Sequence, residues 1–257
     1  MRLGFCAPWT QAAIVADAGF DYIEPAVAGG LLPEREWGET SFATLVETRI
    51  TAEAFNVFLP GDLKVVGPEV DELRTVRYLE SAFQRLSTVG AKIVVFGSAG
   101  SRRVPDGWSP DVARDQILSF LRRCAPLAAS AGVTVAIEPL GSAECNIIVS
   151  VDEAMGYVRA VDHPSIQVLS DLYHVDSDGQ SHLETRDAGS ALRHVHVAGK
   201  EGRRVPTEED VDYLAAYFRF VKEAGYDGRV SVEARVVDID REAPVAANVL
   251  RKAWELA

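Results

Sequence analysis

Short apolar runs alternate with longer amphipathic segments along the chain, which is the pattern of strands followed by helices. Eight runs are predicted to be strands: Leu3–Cys6, Tyr22–Glu24, Glu53–Leu59, Ile93–Phe96, Val133–Glu138, Ile166–Asp171, His194–Ala198 and Val230–Ala234. Helical periodicity covers much of the sequence between them, namely Thr10–Ala18, Glu69–Val89, Pro110–Ala131, Val151–Val161, Thr207–Ala224 and Arg241–Glu255, with a short helix around Leu183–Ala191. The pattern therefore predicts an α/β fold built from repeated βα units.

Eight βα units in 257 residues predict a (β/α)₈ TIM barrel that forms a single domain over residues 1–257. A doubly wound open sheet would give the same alternation. Against that alternative, the turn after the first strand reads APWT and has no glycine-rich phosphate fingerprint. No linker rich in proline, glycine or serine divides the chain. The barrel is therefore the predicted architecture.

The last four predicted strands each carry, at or near their ends, a side chain that can bind a metal ion. These side chains are Glu138, Asp171, His196 and Glu233. In a TIM barrel such strand ends lie side by side at the C-terminal rim, where active sites are built. Any one of them alone reads equally well as a solvated strand end. Together, three carboxylates would repel one another unless a cation lies between them, and this set suits Mn²⁺, Mg²⁺ or Co²⁺ better than structural zinc.

Charge and composition narrow the expected partners. The formal net charge of −12 repels a phosphate backbone, so nucleic acid is not an expected partner. The longest apolar runs are too short to span a bilayer, and no signal-peptide pattern follows Met1. The three cysteines form no CxxC pair. We therefore expect a cytoplasmic protein that binds a small molecule and not a membrane.

Five stretches carry a family resemblance. They are GFDYIEP at 19–25, AIEPLGSAECN at 136–146, SDLYH at 170–174, HVHVAGKEGRRVP at 194–206 and GYDGRVSVEA at 225–234. The chain resembles the sugar phosphate isomerase/epimerase superfamily with the xylose isomerase-like barrel. Within it, the motifs are most similar to those of ketose 3-epimerases (tagatose and psicose 3-epimerases) and hydroxypyruvate isomerases. The resemblance spans essentially the whole chain and is more specific for the metal site than for the substrate.

The resemblance implies that Glu138, Asp171, His196 and Glu233 bind one divalent metal ion, most often Mn²⁺, and that Glu138 and Glu233 also form the acid/base pair. A ketose bound through its carbonyl and a neighbouring hydroxyl has an acidified α-proton and reacts through a cis-enediolate. One carboxylate removes the C3 proton and the opposite one returns a proton to the other face. The implied protein is an isomerase acting on a sugar or sugar phosphate, as a homodimer or homotetramer.

The resemblance also implies three substrate-binding residues. His174 contacts the oxygens at C1 and C2, and Glu144 binds substrate and supports His174. Arg203 reaches the substrate oxygens, but the loop is one residue longer than the commonest family spacing, so Arg204 is an alternative. Gly141-Ser142 stands where the family epimerases usually carry Asn-Arg, which leaves the identity of the sugar open.

Other positions allow more than one interpretation. Glu24 ends the second strand and either binds substrate or is solvated. Trp9 and Trp108 are either pocket walls or peripheral core aromatics. The motif RRVP occurs at 102–105 and again at 203–206. One arginine pair is expected to reach substrate or a phosphate and the other to steady a loop or a subunit contact, unless the repeat is a chance feature of two solvated loops.

Other functions on the same barrel remain as alternatives. Dehydratases of the inosose and dehydroshikimate type eliminate water after the same proton abstraction. A single base would favour isomerisation of the hydroxypyruvate isomerase type. An endonuclease IV-like repair enzyme needs a trinuclear zinc site with many histidines, and the chain has only five. Four metal-ligand positions with both bases present disfavour a non-catalytic binding protein.

Overall fold

A nearly closed ring of parallel strands forms the centre of the structure, a computed structural model that describes residues 1–36 and 49–257. The strands in these residues are β1 Arg2–Cys6, β2 Tyr22–Glu24, β3 Thr51–Ala52, β4 Ala54–Phe55, β5 Ile93–Phe96, β6 Thr134–Ile137, β7 Ile166–Asp171, β8 Leu192–Val197 and β9 Arg229–Val232. Their order in the sheet is β3-β2-β1-β9-β8-β7-β6-β5-β4. The two outermost strands of this order, β3 and β4, follow one another in the chain, so the two edges of the sheet lie side by side and the sheet forms a barrel. The predicted TIM-barrel fold is confirmed.

Helices surround this ring. In the described residues they are α1 Ala12–Asp17, α2 Glu72–Thr88, α3 Ala99–Arg102, α4 Pro110–Ala131, α5 Val151–Val161, α6 Leu172–Ser177, α7 Leu183–Asp187, α8 Val211–Glu223 and α9 Ile239–Leu256. Short 3₁₀ turns cover Trp9–Gln11, Gly189–Ala191 and Glu208–Asp210, and a π-helical turn covers Val27–Leu31. Part of the segment expected to follow the second strand, residues 37–48, lies outside the described residues. No helix within the described ranges has the length and apolarity needed to cross a membrane.

Capping residues set the helix boundaries. The α2 helix starts three residues later than predicted because the side chain of Asp71 accepts a hydrogen bond from the backbone N–H of Arg74 at 2.9 Å. The α4 helix matches the prediction, with Pro110 in its first turn. It ends at Gly132, whose φ of 69° belongs to the left-handed region that glycine tolerates.

The third predicted strand, Glu53–Leu59, is correct only over Ala54–Phe55. The structure has instead the two short strands β3 and β4, which lie on either side of Glu53 and pair with β2 and β5 respectively. Beyond β4, Asn56 forms only an isolated bridge with Ala26. Val57 follows with a φ of 42°, a conformation that an extended strand cannot contain. The apolar run therefore continues as a loop, in which Phe58 and Leu59 are buried and Val57 is exposed.

Small and large side chains alternate inside the barrel. An apolar layer is formed by Tyr22, Ala54, Ile93, Val95, Ala136 and Leu169. A Cβ atom on Gly4 would lie 2.2 Å from the ring of Tyr22, so the ring occupies the space that a side chain at position 4 would need. The Tyr22 hydroxyl reaches across to Ser231, with 2.7 Å between the two oxygens. Gly4 therefore determines how the interior packs beneath the mouth of the barrel.

We predict that Gly4→Ala lowers the free energy of unfolding by about 1–3 kcal/mol, because overpacking a dense interior forces side chains out of position. Urea denaturation followed by circular dichroism measures the change. The matched control is Gly156→Ala in α5, where an added Cβ meets nothing within 4 Å. That change should be neutral or stabilise by about 0.5–1 kcal/mol. Equal stability of the two variants would contradict the packing argument.

Candidate functional site

The four predicted metal ligands come together at the C-terminal mouth of the barrel. Ligand atoms of Glu138, Asp171, His196 and Glu233 all lie within 4.8 Å of one another. The Nδ1 atom of His196 is 3.3 Å from Glu138 Oε1 and 3.4 Å from Glu233 Oε2. The Asp171 side chain is 1% exposed, whereas that of Glu233 is 22% exposed. The cluster is therefore buried on most sides and open towards Glu233.

The strand ladder fixes these positions. Asp171 of β7 lies in register with His196 of β8, which in turn lies in register with Ser231 of β9. Glu138 and Glu233 follow directly after β6 and β9, and their backbone N–H groups donate to Phe96 and Val197 of the neighbouring strands. Main-chain hydrogen bonds therefore anchor both carboxylates although each lies just beyond its strand.

Asp171 has one oxygen that no hydrogen bond satisfies. Its Oδ1 accepts from the backbone N–H of Tyr173 at 2.7 Å, which caps α6. Its Oδ2 is buried and has no hydrogen-bond partner among the described residues. Buried polar atoms without a partner are uncommon in folded proteins. An orphaned carboxylate oxygen, two further carboxylates and one imidazole nitrogen fit a divalent cation.

The charges in the cluster influence one another. Burial would raise the pKa of Glu233, but His196 and Arg203 together hold the pKa below its ordinary value. Burial raises the pKa of Asp171, and the neighbouring carboxylates of Glu233 and Glu138 add to that increase. Burial would lower the pKa of His196, but Glu24 and Glu233 raise it well above its ordinary value. The field at the site therefore favours positive charge.

His174 presents a donor to the cluster. Its Nδ1 accepts from the backbone N–H of Gly141 at 3.0 Å, so the ring proton is assigned to Nε2. That Nε2 is buried without a hydrogen-bond partner in the described part of the chain and lies 3.8 Å from Asp171 Oδ2. A Cβ on Gly141 would lie 2.7 Å from Ser177 Oγ, so this position is packed against α6. Glycine at position 141 therefore leaves room for the Ser177 hydroxyl.

Arg203, and not Arg204, reaches the cluster. Arg203 donates to Glu233 Oε2 and lies 3.6 Å from Asp171 Oδ2. Its Nη1 is 3.5 Å from Glu144 Oε1, so Glu144 contacts Arg203, while the His174 ring is held by Gly141. Arg204 instead forms an ion pair with Asp210 at the start of α8. The structure therefore distinguishes between the two arginines by their contacts.

Two residues support Glu138: Gly97, which the sequence did not single out, and Arg102, whose RRVP motif had been left with two possible roles. A Cβ on Gly97 would lie 2.0 Å from Glu138 Oε2, so only glycine leaves room for the carboxylate there. Arg102 is fully buried and donates to the backbone oxygens of Phe96 and Glu138, both at 2.7 Å. The first RRVP motif therefore supplies a buried brace, whereas the second supplies Arg203 to the cluster. A glycine directly after β5 was the available signal for the first of these residues.

Neither interpretation of Glu24 was correct. The side chain is 0% exposed and is hydrogen bonded to His194, His196 and Ser231. The reason is that β2 ends inside the barrel, below the mouth, so its last side chain turns inwards. His194, which the sequence analysis left without a role, shares this carboxylate with His196.

The two tryptophans lie in different surroundings. Trp9 is partly buried, and its ring centroid is 5.7 Å from that of Phe55. Trp108 donates to Gln116 of α4 and lines a cavity of about 560 Å³ beside α2 and α4. None of the four metal-ligand candidates lines that cavity. Trp108 is therefore not a wall of the metal cluster.

Proteins of known activity are similar to this chain in sequence. The chain is 28% identical over 198 residues to 3-dehydro-D-guloside 4-epimerase from Escherichia coli K12, covering 74% of each protein. It is 30% identical over 120 residues to D-psicose 3-epimerase from Ruminiclostridium cellulolyticum, covering 46% of this chain and 40% of that protein. Both relatives are epimerases, which confirms the prediction of an isomerase-class enzyme.

A solved structure is similar over almost the whole chain, and a family profile matches all of the barrel strands except β1. The crystal structure of D-psicose 3-epimerase with D-tagatose, from Clostridium cellulolyticum H10, has the same fold, with a TM-score of 0.82 and 20% identity over 99% of each chain. The profile described as xylose isomerase-like TIM barrel matches residues 12–253. The chain therefore belongs to the xylose isomerase-like TIM barrel family.

Proposed function

We propose that this protein is a divalent-metal-dependent epimerase that inverts C3 of a free ketose by moving protons between two carboxylates. The observation that carries the proposal is the position of Glu138 and Glu233 around one imidazole, with oxygens 3.3 Å and 3.4 Å from His196 Nδ1. The two sequence relatives support it, because both names describe inversion of the carbon next to a carbonyl group.

Glu138, Asp171, His196 and Glu233 would hold the metal ion, for which Mn²⁺ is our first choice and Mg²⁺ or Co²⁺ the alternatives. The oxygen-rich ligand set with a single imidazole suits these cations. When bound, such a cation supplies Lewis acidity that polarises a carbonyl oxygen and makes the adjacent C–H bond more acidic.

Glu138 and Glu233 are the proposed acid/base pair. They follow β6 and β9, strands that lie on opposite sides of β8 in the sheet order. A substrate carbon held between them would present one face to each carboxylate. Arg203 and His196 hold the pKa of Glu233 below its ordinary value, so this carboxylate is ionised at neutral pH. Glu138, protonated at this stage, delivers its proton to the opposite face, which inverts the carbon and leaves Glu233 protonated and Glu138 ionised.

His174 and Arg203 are the proposed groups that orient the substrate. The Nε2–H of His174 is buried without a partner in the described residues and points towards the cluster, so it can donate to a sugar oxygen. Arg203 lies over the ring of Tyr173, with 4.7 Å between guanidinium carbon and ring centroid. Glu144, which lies 3.5 Å from Arg203, can accept from a sugar hydroxyl.

An uncharged ketose fits the mouth better than a ketose phosphate. Three carboxylates converge at the cluster, and the Arg203 guanidinium is already engaged by Glu233 and Asp171. Arg204 is paired with Asp210, and the Lys64 ammonium donates to the backbone oxygens of Gly61 and Gly100. A phosphate dianion would have to displace these partners, so we favour the neutral sugar.

We predict that the protein with Mn²⁺ epimerises a free ketose in D₂O and incorporates deuterium at C3, as read by proton NMR. Removal of the metal with EDTA should abolish the reaction, and Mn²⁺ or Co²⁺ should restore it. Phosphorylated ketoses form the comparison arm and should react more slowly. A product lighter by one water would instead identify a dehydratase, and full activity in EDTA would contradict the metal requirement.

We predict that Glu138→Gln and Glu233→Gln each lower kcat for epimerisation by about 10²–10⁴-fold at saturating Mn²⁺, because each removes one proton-transfer group. In each variant the remaining carboxylate should still exchange the C3 proton of one epimer with D₂O without net inversion. Metal titration establishes saturation in both variants. Wild-type epimerisation by either variant would rule out the two-carboxylate mechanism.

We predict that Arg203→Lys lowers kcat/KM by about 10–100-fold, because a hydrogen bond to a charged group contributes about 1.5–3 kcal/mol. A lysine cannot reproduce the two-point contact of a guanidinium. The matched control is Arg204→Lys in the same motif, whose partner Asp210 lies outside the cluster. This control should lose stability rather than kcat/KM. Equal losses of kcat/KM in the two variants would show that the contacts of Arg203 do not matter to the reaction.

A further inference from the structure

A fully buried carboxylate lies directly beneath the metal-ligand cluster. Glu24 Oε1 is 2.9 Å from His196 Nε2, and Glu24 Oε2 is 2.8 Å from His194 Nε2. The hydroxyl of Ser231 is 2.5 Å from the same Oε2. Glu24, His194, His196 and Ser231 are all 0% exposed. The carboxylate therefore has three donors and no contact with solvent.

The charge on Glu24 determines where the imidazole protons lie. Oε1 of Glu24 is contacted by His196 Nε2, and Oε2 by His194 Nε2 and the Ser231 hydroxyl, which is the arrangement of an ionised group that accepts from three donors. Glu24 is therefore a carboxylate, which can only accept hydrogen bonds. The Nε2 atoms of His194 and His196 must then carry protons. For His196, this leaves Nδ1 as the atom that faces Glu138 and Glu233.

A second set of contacts holds Glu24 in place. The Tyr22 hydroxyl lies 2.7 Å from Ser231 Oγ, and the Ser231 hydroxyl donates a hydrogen bond to Glu24. Tyr22 can take this position because Gly4 has no side chain. The rings of His194 and His196 meet edge to face, with 4.8 Å between centroids. Glu24 is therefore fixed from the barrel interior and not from the mouth.

We propose that Glu24 is a positioning residue that orients the His196 ring and fixes its Nε2–H tautomer, so that Nδ1 is presented as a metal ligand. This inference rests on the proposed metal-dependent function. A carboxylate that accepts from the second nitrogen of a ligating histidine raises the basicity of the ligand and sets the ring orientation. His194 acts as the second anchor of the same carboxylate.

A purely structural role explains the arrangement less well. Burying a carboxylate together with its partners is often no more stabilising than apolar residues of the same volume. Elsewhere the barrel interior accepts apolar groups, as the layer containing Ala54, Val95 and Leu169 shows. The buried charge of Glu24 is therefore better explained by its contact with the imidazole of His196.

The test is the affinity of the protein for Mn²⁺ and Co²⁺, measured by calorimetry after chelator treatment. Glu24→Gln keeps the shape and removes the charge, and it should raise Kd by about 10–100-fold. The visible absorption of bound Co²⁺, which reports coordination geometry, should change. Glu24→Asp, which keeps the charge but cannot reach both histidines, should also raise Kd. Circular dichroism confirms that each variant is folded.

The matched control is Glu53→Gln. Glu53 lies at the other end of the barrel, where its carboxylate pairs with Arg2 and Arg229. This change should lower stability and leave Kd at the wild-type value, which separates loss of a partly buried ion pair from loss of metal positioning.

A double-mutant cycle shows whether Glu24 acts through His196. In a His196→Ala background, Glu24→Gln should raise Kd by less than about 2-fold further, because the ring that it orients is absent. The inference is overturned if folded Glu24 variants bind with wild-type Kd, or if Glu24→Gln has its full effect without His196. A wild-type protein that binds neither cation would overturn the proposed function itself, and the inference with it.

Discussion

Three carboxylates, those of Glu138, Asp171 and Glu233, point into one small volume at the end of the barrel, and their repulsion is the constraint that the surrounding structure must satisfy. The backbone ladder brings them there regardless of their charge, because each lies at the end of a paired strand. Positively charged groups among the three carboxylates reduce this repulsion. His196 and Arg203 lie among them within the described residues, and the field that remains is suited to a cation.

Support for the cluster comes from residues that do not belong to it. Arg102 ties the ends of β5 and β6 through backbone oxygens, Gly97 leaves space for the Glu138 carboxylate, and Glu24 holds the ring of His196 from below. Each supporting group is buried, so each is itself held by packing. The precision of the site therefore depends on the barrel interior as much as on the rim.

Much of the site could be predicted because its ligands end or flank strands with clear apolar patterns. Asp171 and His196 are examples, since parallel strands of known order bring their ends together. The role of Glu24 could not be predicted, because a three-residue strand does not reveal how deep its last residue lies. Arg102 was ambiguous for a similar reason, since a charged side chain in a loop is usually solvated. The predicted third strand does not continue past Phe55, because Val57 adopts a conformation that its side chain disfavours.

Because the third strand is divided at Glu53, the two halves of the barrel differ in the length of their strand pairing. On that side, β3 and β4 each pair with their neighbour over two residue positions, whereas β5 pairs with β6 over four. The metal-ligand candidates all come from the continuous β6–β9 half. Short pairing opens at lower free energy than long pairing, so we expect the β2–β4 half to yield more readily than the half that carries the metal-ligand candidates. Changes in substrate range can therefore accumulate on one half of the ring without disturbing the chemistry on the other.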